Sequence, residues 1–509
     1  MLFQERFPAE RDQPIKYPAL TLSSVFFIRN AALKMLLNAL QSRTAKLFLV
    51  NLRKSDLKSE GNNVIVDFTV KNFRSLRDEA VLSMHVENPK KHLIGNISYP
   101  LDDRLGLLRT AAIYGANASG KSNVLLALSA LKWIIRESGS LKEGASLDTY
   151  EPFLMSPSTR EAPITFEIEF VIPGDYRYVY EISYTRNKIV YESLDFYPSR
   201  QKANIFLRKE DDTWETISFG SHYKGGSKKI PIFNNNSYLS AAGNNAATPK
   251  IIKTVYNYFK KILTMNSSKE LPVGDLYESD MLLKCTSVLL RLTDTGVTNI
   301  TKKESNLDAL RSLSESMPQN IRDSLLSKHK FEFSFTHESE DGESFALPLA
   351  EESEGTQQLF RLLPIILTTF MMGGTLVIDE IESNFHPHIA ELIIDLFNNP
   401  EVNTQHSQLI FSTHDTQLMS PKHLRRDQIW FTSKVKGAST LSSLDEYDKE
   451  TVTAASPYNN WYNEGRFGAV PIIKHDKISR FISQLVNAGD NEEIDITELL
   501  SGKEDKANA

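Results

Sequence analysis

Thr110-Ala-Ala-Ile-Tyr-Gly-Ala-Asn-Ala-Ser-Gly-Lys-Ser-Asn-Val-Leu-Leu126 is the stretch on which the fold turns. A short apolar run opens it, a glycine-bearing loop follows, and Val124, Leu125, Leu128, Leu131 and Ile135 then recur at helical spacing. The order is strand, loop, helix. Within it, Gly115-Ala116-Asn117-Ala118-Ser119-Gly120-Lys121-Ser122 matches the phosphate-loop pattern G-x-x-x-x-G-K-[ST]. The glycines let backbone N–H groups converge on phosphate oxygens without a Cβ in the way, and the helix start adds its positive dipole end. Lys121 is expected to reach the β- and γ-phosphates of ATP, and the Ser122 hydroxyl to ligand Mg2+.

Three stretches further along extend this reading. Gly374-Thr-Leu-Val-Ile-Asp-Glu380 is an apolar strand ending in two carboxylates. Beside a phosphate loop, Asp379 is expected to hold Mg2+ and Glu380 to orient or deprotonate the attacking water. Without the loop the same pair would serve as well to cap the next helix. Leu409-Ile-Phe-Ser-Thr-His-Asp415 is another apolar strand, ending in His414. Glu352-Ser-Glu-Gly-Thr-Gln-Gln358 opens a helix ahead of the carboxylate strand, with Ser353 and Gly355 at its start. These two could contact a phosphate, or Ser353 could be a plain N-cap. Gly115 and Asp379 stand 264 positions apart, so the nucleotide-binding unit is expected to be split by a long insertion.

The composition agrees with a folded protein of more than one structural unit: 509 residues, 41% hydrophobic and 24% charged. A net charge of −6 argues against a general nucleic-acid coat, though a local basic groove remains compatible with it. Cys285 is the single cysteine, which excludes an intrachain disulfide and suits a reducing cytoplasm. The best membrane candidate, Tyr17 to Leu40, is broken by Arg29 and Lys34, so no membrane partner is expected.

The remaining organisation follows from periodicity. Residues 1–62 read as an N-terminal extension outside the fold, as upstream sequence ahead of a start at Val64, or as a helical arm through Ala31–Leu40. An N-terminal lobe, 63–136, opens with the alternating run Val64–Val70. The insertion, 137–348, begins with two period-two strands around Phe166, Ile168 and Phe170 and around Tyr176, Tyr178, Tyr180, Ile182 and Tyr184, joined at Pro173-Gly174-Asp175. Their tyrosine stripe reads as one face of a packed sheet ahead of a base-stacking surface. Residues 221–248 read as loop, 249–265, 278–292 and 307–327 as helices, and 331–348 as a strand pair. The C-terminal lobe is 349–475, and 476–509 a helix with a mobile tail. No sustained heptads occur in the insertion, which argues against a long coiled coil.

Taken together, Asp67–Leu76, the Ala116–Asn123 loop, Ser353–Gln358, Asp379-Glu-Ile-Glu382 with His386-Pro387, Ser412–Asp415 and Gly465–Pro471 resemble the AAA-family ATP-binding proteins of the RecF/SMC/OLD-like group. The resemblance spans about Val64 to Lys474. It implies an α/β P-loop ABC-type ATPase head, split by an α+β insertion, that dimerises head to tail. ATP would lie between one protomer's loop and the Ser353–Gly355 signature of the other. It also implies that His414 senses the γ-phosphate and that Arg74 and Ser75 line the nucleotide site. Many relatives resemble the ATPases of bacterial antiphage systems, which control a nuclease or toxin; others are RecF-like repair ATPases. The 95 residues after His414 carry no acidic cluster of the TOPRIM kind, so a separate effector protein is the expected partner, with nucleic acid as a possible one.

Overall fold

The computed structural model describes residues 64–487, apart from 91, 102–103, 173–175, 267–273, 294, 318, 384–385, 449, 454 and 471–473. The expectations for residues 1–62, for the turn at 173–175, for Pro471 and for the tail from 488 lie outside these.

Two sheets organise the chain. The first is antiparallel throughout, in the order Ser218–Phe219, Ala203–Lys209, Ile189–Tyr197, Arg177–Tyr184, Ile164–Val171, Val64–Lys71, Ala80–Ser83. The period-two strands of the insertion therefore continue the sheet that Val64–Lys71 begins, with Phe68 opposite Ile168 and Val70 opposite Phe166. The second sheet runs Ile262–Asn266, Thr375–Asp379, Gln408–Ser412, Thr110–Gly115, Ile429–Val435, Ala438–Ser443. Its first five strands are parallel, and the last turns back as a hairpin.

The continuous apolar character of the parallel strands has a direct cause. Both faces are covered, so neither alternate position can be polar. Ala111, Ile113, Val377, Ile410 and Trp430 face one core, shared with the Lys121–Glu137 helix and the antiparallel sheet. Ala112, Tyr114, Leu376, Ile378, Leu409, Phe411 and Phe431 face a second core under the Glu354–Met372 and Pro387–Asn398 helices. Val124, Leu128, Leu131 and Ile135 on the Lys121–Glu137 helix are buried between the sheets. Truncating any of these to Ala would cost about 2–5 kcal/mol for the larger side chains.

One amide stitches the two sheets at their inner ends. The buried Gln408 side chain accepts from the Ile65 N–H at 2.6 Å and donates to the Ile65 and Leu108 carbonyls at 2.9 and 3.1 Å.

Several elements differ from their sequence-based expectations. The helix expected over 249–265 ends at Tyr258, and Ile262–Asn266 instead adds an edge strand to the parallel sheet, Ile262 opposite Thr375. Local periodicity cannot register that pairing, because its partner lies far along the chain. Residues 221–248 contain a short helix, Tyr238–Gly243, whose Ser237 cap accepts from the Ser240 N–H. The 307–327 helix is two helices, Asp308–Leu313 and Gln319–Lys328. The strand pair near 331–348 gains a third member, Asn299–Glu304. Tyr178, Tyr180 and Tyr184 are fully buried, which makes the tyrosine stripe sheet packing, with Tyr176 exposed at its end.

Candidate nucleotide site

The loop at Gly115–Ser122 leaves the C-terminal end of the parallel strand Thr110–Gly115 and enters the Lys121–Glu137 helix. Its glycines are steric necessities. A Cβ on Gly115, at φ 155°, would lie 2.4 Å from Thr432 Oγ1, and one on Gly120, at φ 117°, 2.4 Å from Ser439 Oγ. Those neighbours come from the Ile429–Ser443 hairpin, which backs the loop. Ser119 Oγ lies 2.5 Å from Thr432 Oγ1, and Ser439 Oγ lies 2.6 Å from the Ser119 carbonyl. The Asn123 and Val124 N–H groups donate to the Gly120 carbonyl at 3.0 and 3.2 Å, while those of Lys121 and Ser122 at the helix start have no side-chain cap and are open to an anion.

Lys121 is buried, and its ammonium donates to the carbonyls of Gly115 (2.9 Å) and Ala116 (3.3 Å). Burial pushes its pKa down, while the negative charges of Asp379, Glu380 and Glu382 oppose that shift. Ser122 Oγ donates to Asp379 Oδ1 at 3.1 Å. The sequence elements 257 positions apart thus meet at one point.

The neighbouring strand end fixes the second carboxylate. Ser412 Oγ lies 2.5 Å from Asp379 Oδ1 and accepts from the Glu380 N–H at 2.8 Å. Glu380 has a left-handed backbone, φ 57°. A non-glycine residue seldom adopts that conformation; here it sits where the carboxylate strand must turn its side chain out of the sheet. His414 follows the next strand, and its N–H donates to Glu382 Oε1 at 2.6 Å. Burial lowers the His414 pKa below its usual value of 6.5, the Lys121 charge adds to that, and Glu382, Glu380 and Asp379 work against it.

Ser75 reaches the same place: Asn123 Nδ2 donates to its hydroxyl at 2.6 Å, and Ser439 Oγ lies 2.7 Å from it. Arg74, φ 50°, forms an ion pair with Glu151, and its N–H donates to the Glu151 carbonyl at 2.7 Å. Ser353 is exposed and caps the Glu354–Met372 helix, accepting from the Thr356 N–H at 3.1 Å. Gly355, the second residue of that helix, is half-buried. Among the hydrogen bonds of the described residues, none links Ser353 or Gly355 to the Gly115–Ser122 loop.

Sequence reasoning passed over Ser412, Glu382, Thr432 and Ser439 as site residues. Ser412 and Glu382 stand inside quoted motifs and their roles could have been asked for. Thr432 and Ser439 carry no local signal, since only the hairpin's return brings them behind the loop.

A parallel sheet with phosphate loop, carboxylate pair and histidine at one set of strand ends, joined through a helix to an antiparallel sheet, defines a P-loop ATPase head of the ABC type. The chain belongs to the family described as "AAA domain, putative AbiEii toxin, Type IV TA system", which matches residues 111–420. Among solved structures it is similar to the SMC head domain from Thermotoga maritima, at 14% identity over 75% of this chain and 98% of that one, with a TM-score of 0.34. It is also similar to the recombination mediator protein RecF-ATPrS of the RecFOR pathway, at 13% identity over 75% and 99% of the two chains, with a TM-score of 0.30. No curated protein matches the sequence. Among the described residues, no helix is long and apolar enough to cross a membrane.

Proposed function

We propose that this chain binds and hydrolyses ATP at a site completed by a second copy of itself, and that its ATP state controls a separate toxic effector. The observation that carries the reading is the meeting of Lys121, Ser122, Asp379, Glu380 and His414 at the ends of three adjacent parallel strands. Residues 115–120 and the helix start receive the phosphates, and the Lys121 ammonium exchanges its two carbonyl partners for phosphate oxygens. A serine hydroxyl beside a carboxylate is a donor set that fits Mg2+, so Ser122 and Asp379 would hold it. The ion would supply neutralisation of phosphate charge.

Glu380, turned out of the strand by its left-handed backbone, orients a water and takes its proton. The imidazole of His414 donates an N–H to the γ-phosphate. Ser75 lines the site beside Asn123, and Arg74 reaches it on releasing Glu151. The helix start at Ser353–Gly355 offers its N–H groups to the γ-phosphate bound by the partner, in a C2 assembly with two equivalent sites. Binding of ATP would then favour the closed pair and hydrolysis release it. The family description names a putative toxin and a Type IV toxin–antitoxin system; we assign the toxic activity to a separate effector, controlled in the manner of antiphage defence systems.

The shared site is testable by complementation. Lys121→Ala and Ser353→Arg proteins are each expected to be inactive. After subunit exchange at equal amounts, mixed dimers carry one intact site, and hydrolysis should recover to about a quarter of wild type if pairing is random. No recovery in verified mixed dimers would reject the arrangement.

A further inference from the structure

On the solvent face of the antiparallel sheet, away from the phosphate loop, three potential ligands converge from three segments. Asp67 lies on Val64–Lys71, and Glu169 sits directly opposite it on Ile164–Val171. On the other side, Asp67 pairs with Ser83, and His85 comes two residues later. With a side-chain period of two, His85 shares the face of Ser83 and Asp67. His85 Nε2 is 3.7 Å from Asp67 Oδ2, and one donor atom from each of the three residues lies within 4.8 Å of the others.

The surroundings leave this cluster electrostatically incomplete. Asp67 Oδ1 is shut off from solvent and accepts no hydrogen bond among the described residues. The Glu169 side chain is 14% exposed and is paired with Arg177, which also lies over the Tyr197 ring. Arg177 thus answers Glu169, and Lys202 answers Asp195 nearby, while Asp67 Oδ1 is left without a hydrogen bond. The missing partner is a compact positive charge that one imidazole and two carboxylates can share.

We propose that Asp67, His85 and Glu169 form a binding site for a divalent transition metal such as Zn2+, distinct from the nucleotide site. The imidazole nitrogen selects such ions over Mg2+ and Ca2+, which prefer all-oxygen sets. Asp67 and Glu169 stand on paired strands and His85 on a bridge to Leu107, and their donor atoms already lie within 4.8 Å of one another, close to the separation of ligands that each sit about 2.0–2.2 Å from a zinc ion. The ion displaces Arg177 from Glu169 and satisfies Asp67. It ties the first strand of the chain to the inserted strands and to the segment after Ala80–Ser83.

The test titrates the full chain, nucleotide-free and stripped with a chelator, with Zn2+ alone and follows the heat and the melting temperature. One equivalent is expected to bind and raise the melting temperature of the wild type. His85→Ala should lose that equivalent and its thermal shift, Asp67→Asn should weaken it at least tenfold, and Arg177→Ala should tighten it. Asp379→Asn, at the nucleotide site, should retain it. Both His85 and Asp67 are partly exposed, so either variant serves if the other folds poorly. No equivalent in the wild type, full retention in both variants, or loss in Asp379→Asn would overturn the proposal.

Discussion

Glu192 in the antiparallel sheet and the carboxylates at the end of the parallel sheet are held in opposite ways. Glu192 is fully buried, and every direction around it is answered. Its oxygens accept from the Tyr180 hydroxyl at 3.0 Å, the Ser237 hydroxyl at 2.8 Å, and the Tyr238 and Leu239 N–H groups at 2.7 and 2.9 Å. It also sits at the start of the Tyr238–Gly243 helix, with Arg208 4.0 Å away. At the nucleotide end, by contrast, Lys121 rests on loop carbonyls, and Glu382 Oε2, Asp415 Oδ2 and the Tyr114 hydroxyl are buried without hydrogen-bond partners among the described residues. Glu380 is held with a left-handed backbone. A saturated buried charge fixes the fold. At the nucleotide end the unanswered groups lie beside the phosphate loop, where a ligand would complete them.

That contrast breaks if the two kinds of substitution behave alike. Lys121→Ala should lower ATP affinity at least about 100-fold, since charged hydrogen bonds to phosphate are lost, yet leave the melting temperature unchanged or raised. Glu192→Ala should do the reverse. It strands four donors and Arg208, costs about 3–5 kcal/mol in denaturant unfolding, and leaves the ATP affinity of the folded protein intact. Equal stability losses, or equal affinity losses, would erase the distinction.

A smaller effect is expected between these regions, on the helix that begins at Ser353. Pro364 sits inside it and has no N–H to give the Phe360 carbonyl four residues back. The Tyr277 hydroxyl donates to that carbonyl at 2.5 Å, and its ring stacks on Phe360 at 4.5 Å. Tyr277→Phe should cost about 1–2 kcal/mol, because a buried acceptor loses its donor. In a Pro364→Ala background, where the helix supplies the donor itself, the same change should cost clearly less. Equal costs in both backgrounds would deny the link.

The smallest expected effect is a pH dependence. His414 has a lowered pKa through burial and the Lys121 charge, so its contribution to stability is present above the unfolded value of 6.5. It is lost as pH falls below 6.5 and through the folded pKa, because the unfolded chain then binds the extra proton. Unfolding measured from pH 7.5 down to 5 should show this slope in the wild type, and His414→Gln should flatten it. An unchanged slope would assign the titration to another group.

How legible all this was from sequence depended on how local each signal is. The phosphate loop, the Asp379-Glu380 pair and His414 each follow an apolar strand within a few residues, and the structure brings them to neighbouring strand ends. The period-two runs at Phe166–Phe170 and Tyr178–Tyr184 gave the antiparallel strands for the same reason. What periodicity could not show was long-range partnership. Ile262–Asn266 reads as the end of a helix until Thr375–Asp379 pairs with it. Thr432 and Ser439 are ordinary hydroxyl residues until their hairpin returns behind the loop. Gln408, a polar residue opening an apolar strand, acquires its meaning only from Ile65, 343 positions earlier. Arg74 and Ser75 were named through a family resemblance, and the structure places Ser75 against the loop's helix while Arg74 pairs with Glu151.

The central claim is that Glu380 acts on water after ATP is already bound by the loop. It is tested most directly by measuring bound nucleotide and released phosphate in the same sample, for wild type and Glu380→Gln. The account predicts ATP affinity within a few-fold of wild type, with phosphate release slowed about 100- to 10,000-fold, the range for losing a general base. The variant should accumulate as an ATP-bound dimer. Wild-type phosphate release by Glu380→Gln, with ATP bound normally, would contradict it and place the base elsewhere.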